Sequence, residues 1–136
     1  MFFSCPETQQ GDCVFAVYDS TTGKKLFAGN VALSGKNEEI HMKAFSTKAG
    51  VVAKYLAATD VGCDLYLEGT DCWKKAKAKF GLKSDHKPVC EGYPAVYKFF
   101  ETDRDESMIG YPVEVTFSPH PVIRTVAGHI QCWPTH

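Results

Sequence analysis

The sequence predicts a mostly β domain, either a β-sandwich or a β-rich α+β fold, built from antiparallel sheets and stabilised by disulfides. Three observations lead to this fold class. Short runs of alternating apolar and polar residues recur about every ten residues, which is the spacing of all-β domains. One segment has the periodicity of a short amphipathic helix. Six cysteines occur in only 136 residues, well above ordinary usage.

The chain has the composition of one folded domain. It is 44% hydrophobic and 23% charged, and a chain of this length buries about two thirds of the surface that it exposes when unfolded. This composition excludes a disordered tail, a collagen-like fibre and a coiled coil. We therefore predict a single domain over residues 1–136. Because the net charge is only −1, we expect no nucleic-acid partner, and no apolar stretch is long enough to span a membrane.

The N-terminal half predicts several strands. Residues 13–18 form a β-branched and aromatic run, residues 24–33 alternate, and the turn-forming residues 20–23 lie between them, so the pattern predicts a hairpin. Alternation over residues 40–44 predicts a further half-buried strand. Residues 49–58 combine helical spacing with strand-like residue types, and both interpretations stay open.

The middle of the chain predicts one helix. Alternation over residues 63–68 first indicates a strand. Thr70 or Asp71 can then cap a helix that ends at Gly81. Aromatic residues and alanine form its apolar face and lysines cover the remainder, as in a surface helix of about three turns.

The last third contains a short repeat. Two Gly-Tyr-Pro segments precede strand-like runs at residues 95–100 and 113–117, and an acidic loop at residues 101–106 joins the runs. We therefore predict an antiparallel hairpin, with each proline at the first strand residue. Residues 122–126 and 129–133 predict the final edge strands.

The cysteines indicate disulfides in an oxidising compartment. Their number is even, they span the chain, and none forms a Cys-x-x-Cys pair, which argues against a zinc knuckle or a redox motif. Sequence alone does not decide the connectivity, although a Cys5–Cys132 clasp would tie down the termini. The alternative is a set of buried thiols. The predicted disulfide cysteines are Cys5, Cys13, Cys63, Cys72, Cys90 and Cys132.

The predicted localisation is secreted and extracellular. No signal peptide is visible, because Met1-Phe2-Phe3 is too short for an apolar core and no basic segment precedes it. The chain would then be a mature secreted form with an added initiator methionine. A cytosolic protein is the competing interpretation.

No sequence motif indicates a nucleophile, a phosphate loop or a dinucleotide site, so we predict no catalytic residue and no cofactor. The five histidines lack metal-binding spacing, and we predict no metal site. One enzymatic alternative stays open, in which Glu114, Arg124 and His129 converge to cleave RNA as base, phosphate ligand and acid. A simpler interpretation pairs Glu114 with Lys98 on the wet face of a sheet.

Two charged patches are candidate binding sites. Residues 70–90 carry six lysines and two aspartates, a local charge of +4. A basic helix can bind anionic groups, although lysine is also common on solvated helix faces. The predicted binding residues are Lys74, Lys75, Lys77 and Lys79 on the helix, here called the lysine face, and Asp103, Asp105 and Glu106 in the acidic loop. Aromatic residues that could instead stack on a carbohydrate are Trp73, Tyr93, Tyr111 and Trp133.

The N-terminal segment carries a resemblance to a known group of proteins. Phe3-Ser4-Cys5 matches the aromatic-x-Cys pattern that follows signal cleavage in candidate effectors of mildew and rust fungi. Cys132, close to the C-terminus, accompanies this pattern in the ribonuclease-like subset. The chain therefore resembles a small secreted effector of plant-pathogenic fungi. The order Glu, Arg, His is also similar to that of fungal guanyl-specific ribonucleases, with tighter spacing.

The effector resemblance implies a virulence protein that binds a host protein through surface loops and patches, without enzymatic activity. We accordingly predict a monomeric, secreted binding protein, with delivery into host cells as a further option. The alternatives are a ribonuclease-like or carbohydrate-active enzyme and a carbohydrate-binding β module.

Overall fold

The computed structural model describes residues 2–4, 12–19, 21–34, 39–40, 42–47, 50–84, 86–117 and 120–134. Within these residues the strands are β1 (Phe2–Ser4), β2 (Asp12–Tyr18), β3 (Lys25–Ser34), β4 (Glu39–Ile40), β5 (Met42–Thr47), β6 (Gly50–Asp60), β7 (Ser107–Thr116), β8 (Val122–Thr125) and β9 (Gln131–Pro134). The helices are α1 (Leu65–Glu68), α2 (Thr70–Phe80) and α3 (Tyr93–Phe99). The fold is mostly β, which confirms the predicted class in its α+β form, with two short helices beyond the one predicted.

The described strands form one antiparallel sheet around β6 and β7. These two long strands pair continuously from Val52–Thr116 to Asp60–Met108. The other edge of β7 is shared, because β9 pairs with residues 107–110 and β8 with residues 113–116. Pro112 lies in the gap between the two partners, where its missing N–H is least costly. Strand β7 begins at Ser107, before the Gly-Tyr-Pro segment that was predicted to precede it.

The edge of β6 that does not pair with β7 is likewise shared between two strands. Strand β5 pairs with its first half, whereas β3 meets it at a single residue pair, Val31–Ala57. Strand β3 pairs with β2, which confirms the predicted hairpin. Strand β2 in turn pairs with β1 at the edge of the sheet. A Cβ atom at Gly110 would lie only 2.7 Å from the Cβ of Ala32. Glycine at this position is therefore what lets β3 approach β7 so closely.

Alternate residues of β7 organise the core. Ile109 belongs to a cluster under the helices, Val113 and Val115 belong to a cluster under β2, β3 and β6, and Tyr111 packs against both. This alternation follows from the two-residue period of a strand. The opposite face of the sheet holds a smaller cluster around Met108. The helices therefore cover one end of the inner face, and the curled sheet covers the other.

Helix α2 confirms the helix predicted from the lysine-rich segment, but the predicted cap is wrong, because the N-cap is Gly69 and both Thr70 and Asp71 lie inside the helix. Cys72, Trp73 and Ala76 form its buried face. Gly81 ends it in the left-handed conformation, with φ 63°, which glycine adopts without steric cost. None of the described helices is long and apolar enough to cross a membrane.

Two strands that the alternation predicted are wrong. Residues 63–68 contain α1, because the Asp64 side chain accepts a hydrogen bond from the Leu67 N–H at 2.9 Å and caps the helix. Residues 95–100 lie largely in α3, whose first turn contains a proline that is preorganised for a helix start. The predicted hairpin with residues 113–117 is therefore wrong as well. Residues 49–58, which the sequence left open, lie almost wholly in β6.

Two disulfides join the helical segments to their surroundings. Cys63 is bonded to Cys72, and Cys90 to Cys132. The Cys5–Cys132 clasp is wrong, because Cys132 has this other partner, and Cys5 lies outside the described residues. Cys13 is also disulfide-bonded, and no cysteine in the described part of the chain is free.

We expect the two disulfides to stabilise the fold unequally, because they close loops of different length. Their sequence separations are 42 residues for Cys90–Cys132 and 9 for Cys63–Cys72. Loop-closure entropy predicts that Cys90→Ala/Cys132→Ala lowers the free energy of unfolding by about 4 kcal/mol, and Cys63→Ala/Cys72→Ala by about 2.5 kcal/mol. Urea unfolding measures both variants. An equal or reversed order would contradict this explanation.

Candidate functional site

The lysine face lies on a rigid support. The buried side of α2 is fixed in the core, and the Cys63–Cys72 disulfide ties its first turn to the preceding segment. Lys74, Lys75 and Lys79 are exposed, and Lys77 is partly buried. The helix therefore presents its cations in fixed positions along its axis.

Two of these lysines lie over aromatic rings of the same helix. The Lys77 Nζ atom is 5.8 Å from the centre of the Trp73 ring, and the Lys79 Nζ atom is 5.3 Å from that of Phe80. Such contacts favour a cation over the ring face and restrict the flexible lysine stem. Among the described residues, none of the lysine-face side chains takes part in an ion pair. Their positive charges are consequently available to an external anion.

The acidic loop is anchored to the protein at two points. Arg104 forms an ion pair with Glu68 of α1. The Asp105 backbone N–H donates a hydrogen bond to the Asp64 carboxylate at 3.0 Å, and the Asp105 side chain is buried. Of the three acidic residues predicted to bind a partner, only Asp103 and Glu106 are exposed. Asp105 thus lies where it holds the loop rather than where it would contact another molecule.

Asp64 is the centre of a polar network that the sequence did not reveal. Only 1% of the residue is exposed, yet three donors satisfy its carboxylate: two backbone N–H groups and the Tyr97 hydroxyl at 2.5 Å. A buried carboxylate needs such partners. The available sequence signal was an acidic pair one helical turn apart, in which Glu68 accepts a hydrogen bond from the Asp64 N–H.

Three tyrosines surround this network. Tyr66 and Tyr93 are stacked with ring centres 5.0 Å apart, and Tyr97 meets Tyr93 edge-on at 5.5 Å. The Tyr93 hydroxyl is hydrogen-bonded to the Ser107 side chain, which also accepts the Leu65 N–H. Tyr93 is fully buried, and Trp73 is buried to 6% exposure. These two aromatic residues therefore fill the core, away from the sugar-stacking surface considered for them.

Glu114 and Arg124 come together across neighbouring strands. They are paired in register, and an Arg124 Nη2 donates to Glu114 Oε1 at 3.0 Å. Lys54 approaches the second carboxylate oxygen at 3.9 Å from the other side. His129 is exposed in the segment before β9 and makes no hydrogen bond or ion pair with a described residue. Lys98 lies on α3, so its predicted pairing with Glu114 is wrong.

One group of side chains within the described residues has the spacing of metal ligands. The sulfur atoms of Cys63 and Cys72 and a carboxylate oxygen of Glu68 lie within 4.8 Å of one another. The two sulfurs form a disulfide, and a metal requires thiolates. In the oxidised protein this group therefore has no thiolate to offer.

A groove lies between the end of α2 and strands β7 and β8. Phe80 and Tyr111 form part of its lining, together with Lys83, Ile123 and Arg124, and its volume is about 440 Å³. Three segments distant in sequence build it, so no local pattern could have indicated it.

We expect the stability of the protein to fall in alkaline solution. Burial raises the pKa of Tyr55, Tyr93, Tyr97 and Tyr111, and at Tyr97 the hydrogen bond to Asp64 adds to the effect. The unfolded chain ionises its tyrosines near pH 10, so above about that pH the folded protein binds more protons than the unfolded chain, and stability falls. It is unaffected by these groups at lower pH.

Urea unfolding between about pH 8 and pH 11 tests this dependence on tyrosine ionisation. The tyrosinate absorbance of Tyr55, Tyr93, Tyr97 and Tyr111 should appear together with unfolding. Tyr97→Phe should show a shallower loss than the parent protein, whereas the exposed Tyr18→Phe should match it. Tyrosinate absorbance from all tyrosines in the folded protein would contradict the prediction.

The candidate surfaces of this chain are thus the lysine face, the exposed part of the acidic loop, the Glu114–Arg124 pair and the groove beside α2. Comparison with family models, with curated proteins and with solved structures finds no match.

Proposed function

We propose that this chain is a secreted, disulfide-stabilised binding protein whose lysine face contacts an acidic surface of a partner protein. The observation that carries the proposal is the lysine face itself, which displays four cations on one helix without an ion pair among the described residues. Opposite charge on a partner would be attracted to this surface and oriented by it.

The preorganisation of the lysine face supports this proposal. Ordering a flexible lysine on binding costs entropy. Lys77 and Lys79 are already restrained over their aromatic neighbours, and the helix beneath them is fixed by buried Trp73 and by the Cys63–Cys72 disulfide. Part of the side-chain entropy of these lysines is therefore already lost in the free protein, so less is lost on binding.

The spacing of the lysines supports the proposal as well. Lys75 and Lys79 are four residues apart on α2, a spacing at which like charges destabilise a helix by about 0.2–0.5 kcal/mol. Lys83 and Lys87 extend the positive segment beyond the helix. An arrangement that disfavours the isolated helix is typical of a functional surface.

The disulfides and the effector resemblance support a particular compartment and source for the partner. The disulfides are compatible with an extracellular protein, since they persist in oxidising compartments. In this proposal the chain acts as a virulence effector of plant-pathogen type, and its acidic partner is a host protein. The exposed Asp103 and Glu106 form a second, separate contact surface.

Charge reversal on the lysine face tests the proposal. We expect Lys75→Glu/Lys79→Glu to weaken binding to poly-L-glutamate at least about tenfold, because two attractions become repulsions. The matched control is Lys24→Glu/Lys25→Glu, which changes the net charge equally at two exposed lysines beside the β2–β3 turn. Fluorescence anisotropy at low and high salt measures the affinities.

The control should bind within about twofold of the parent protein, and high salt should weaken all binding. Equal weakening by both variants would show that only net charge matters and would contradict the proposal. Tighter binding to single-stranded RNA than to poly-L-glutamate, with the same dependence on Lys75 and Lys79, would also contradict it by making nucleic acid the partner.

The ribonuclease-like alternative rests on the Glu114–Arg124 pair and predicts a different outcome. If these residues and His129 cleave RNA, Glu114→Gln and His129→Ala should each abolish hydrolysis of a fluorogenic RNA while leaving urea unfolding nearly unchanged. A cross-strand ion pair of this kind contributes only about 0–1 kcal/mol when exposed. Unchanged hydrolysis in both variants would remove the alternative.

A further inference from the structure

We propose that the groove beside α2 receives an apolar, preferably aromatic, side chain of the same acidic partner segment that the lysine face binds. This inference rests on the proposed function and deepens it, because it names the partner segment as acidic residues next to an aromatic anchor.

The groove is a formed feature of the fold. The Thr125 hydroxyl donates a hydrogen bond of 2.7 Å to the Gly81 carbonyl, which ties the end of α2 to β8. The Phe80 and Tyr111 rings meet at 6.1 Å with an angle of 32° between them. The resulting volume of about 440 Å³ falls within the range of ligand pockets, about 300–1,000 Å³.

Apolar side chains form part of the lining of the groove. Phe80, Tyr111 and Val113 contribute to it, and Tyr111 packs against both main hydrophobic clusters. Ile123 lines the groove and remains 49% exposed. Covering this surface with an aromatic side chain would remove apolar area from water on both partners.

The rim of the groove is cationic. Lys83 lines the groove and forms no ion pair among the described residues, and Lys79 adds a second cation through Phe80, over whose ring its ammonium lies. The Arg124 side chain is bonded to Glu114 on the opposite face of β8 and does not contribute to this rim. An apolar floor with a cationic rim complements an apolar side chain flanked by carboxylates. A bare phosphate would leave the floor uncovered, and a neutral sugar would leave the cations unpaired.

The groove continues the lysine face. Phe80 lines the groove and also carries the Lys79 ammonium over its ring. An extended acidic segment that follows α2 towards its C-terminal end therefore reaches the groove without a gap. Anchors of this kind, in which one aromatic side chain fills a pocket beside weaker charged contacts, concentrate binding energy.

Two labelled peptides of equal length test the inference. One contains glutamates alone, and the other has a tryptophan in place of a central glutamate. We expect the tryptophan peptide to bind at least about tenfold more tightly despite its lower charge. Fluorescence anisotropy with the full, oxidised chain measures both affinities.

Ile123→Thr provides the variant, since it retains a β-branched residue at an exposed strand position and removes apolar surface from the groove. It should weaken the tryptophan peptide about threefold and leave the glutamate peptide unchanged. Val122→Thr is the matched control on the opposite face of β8, where Val122 is 61% exposed, and it should change neither affinity. Phe80→Ala, checked by urea unfolding, should weaken the tryptophan peptide further.

The outcomes separate this inference from the proposed function. Binding of both peptides with equal affinity would contradict the proposed role of the groove without contradicting the proposed role of the lysine face. Binding of the tryptophan peptide alone would support the groove and contradict the lysine face. Binding of neither peptide would overturn both. Tighter binding of an oligogalacturonate than of the tryptophan peptide, lost in Ile123→Thr, would overturn the peptide occupant in favour of an acidic carbohydrate.

Discussion

The continuous pairing of β6 with β7 is the constraint on which the other parts of the structure depend. Because alternate residues of β7 share one face, this strand supplies Ile109 to the helical cluster and Val113 to the cluster under β2, β3 and β6. Tyr111 packs against both clusters between them. A shift of one residue in this register would turn all three side chains to the other face and would separate the helices from the sheet.

The long helix and the first hairpin could be predicted because their signals are local. Helix α2 has a repeated apolar face and a terminal glycine within one short window. Helices α1 and α3 contain only 4 and 7 residues, and over such lengths the strand and helix periods are not distinguishable. Their formation depends instead on the Asp64 cap and on the proline in the first turn of α3.

The site residues were harder to predict because their partners are distant in sequence. The pairing of Cys90 with Cys132 follows from the position of β9 beside β7, which no spacing rule contains. Asp64 lies in the run whose alternation indicated a strand, yet it is buried under Tyr97 and the acidic loop. The sequence placed the lysine face on the polar side of the predicted helix. Its fixed geometry depends on which side of α2 enters the core.

The small net charge of the protein conceals a separation of charge on its surface. The attachment of Arg104 to Glu68 holds the acidic loop against α1, so the loop's own cation is occupied locally. The positive segment that begins on α2 remains without ion pairs in the described part of the chain. If the lysines and the acidic loop could move and pair with each other, their opposite charges would cancel. The surface would then not favour one orientation of a partner. Because the helix and the loop are both held in place, a negatively charged partner of the kind proposed would be attracted by the lysine face and repelled by the acidic loop. This asymmetry would select the orientation of the encounter before any apolar contact forms.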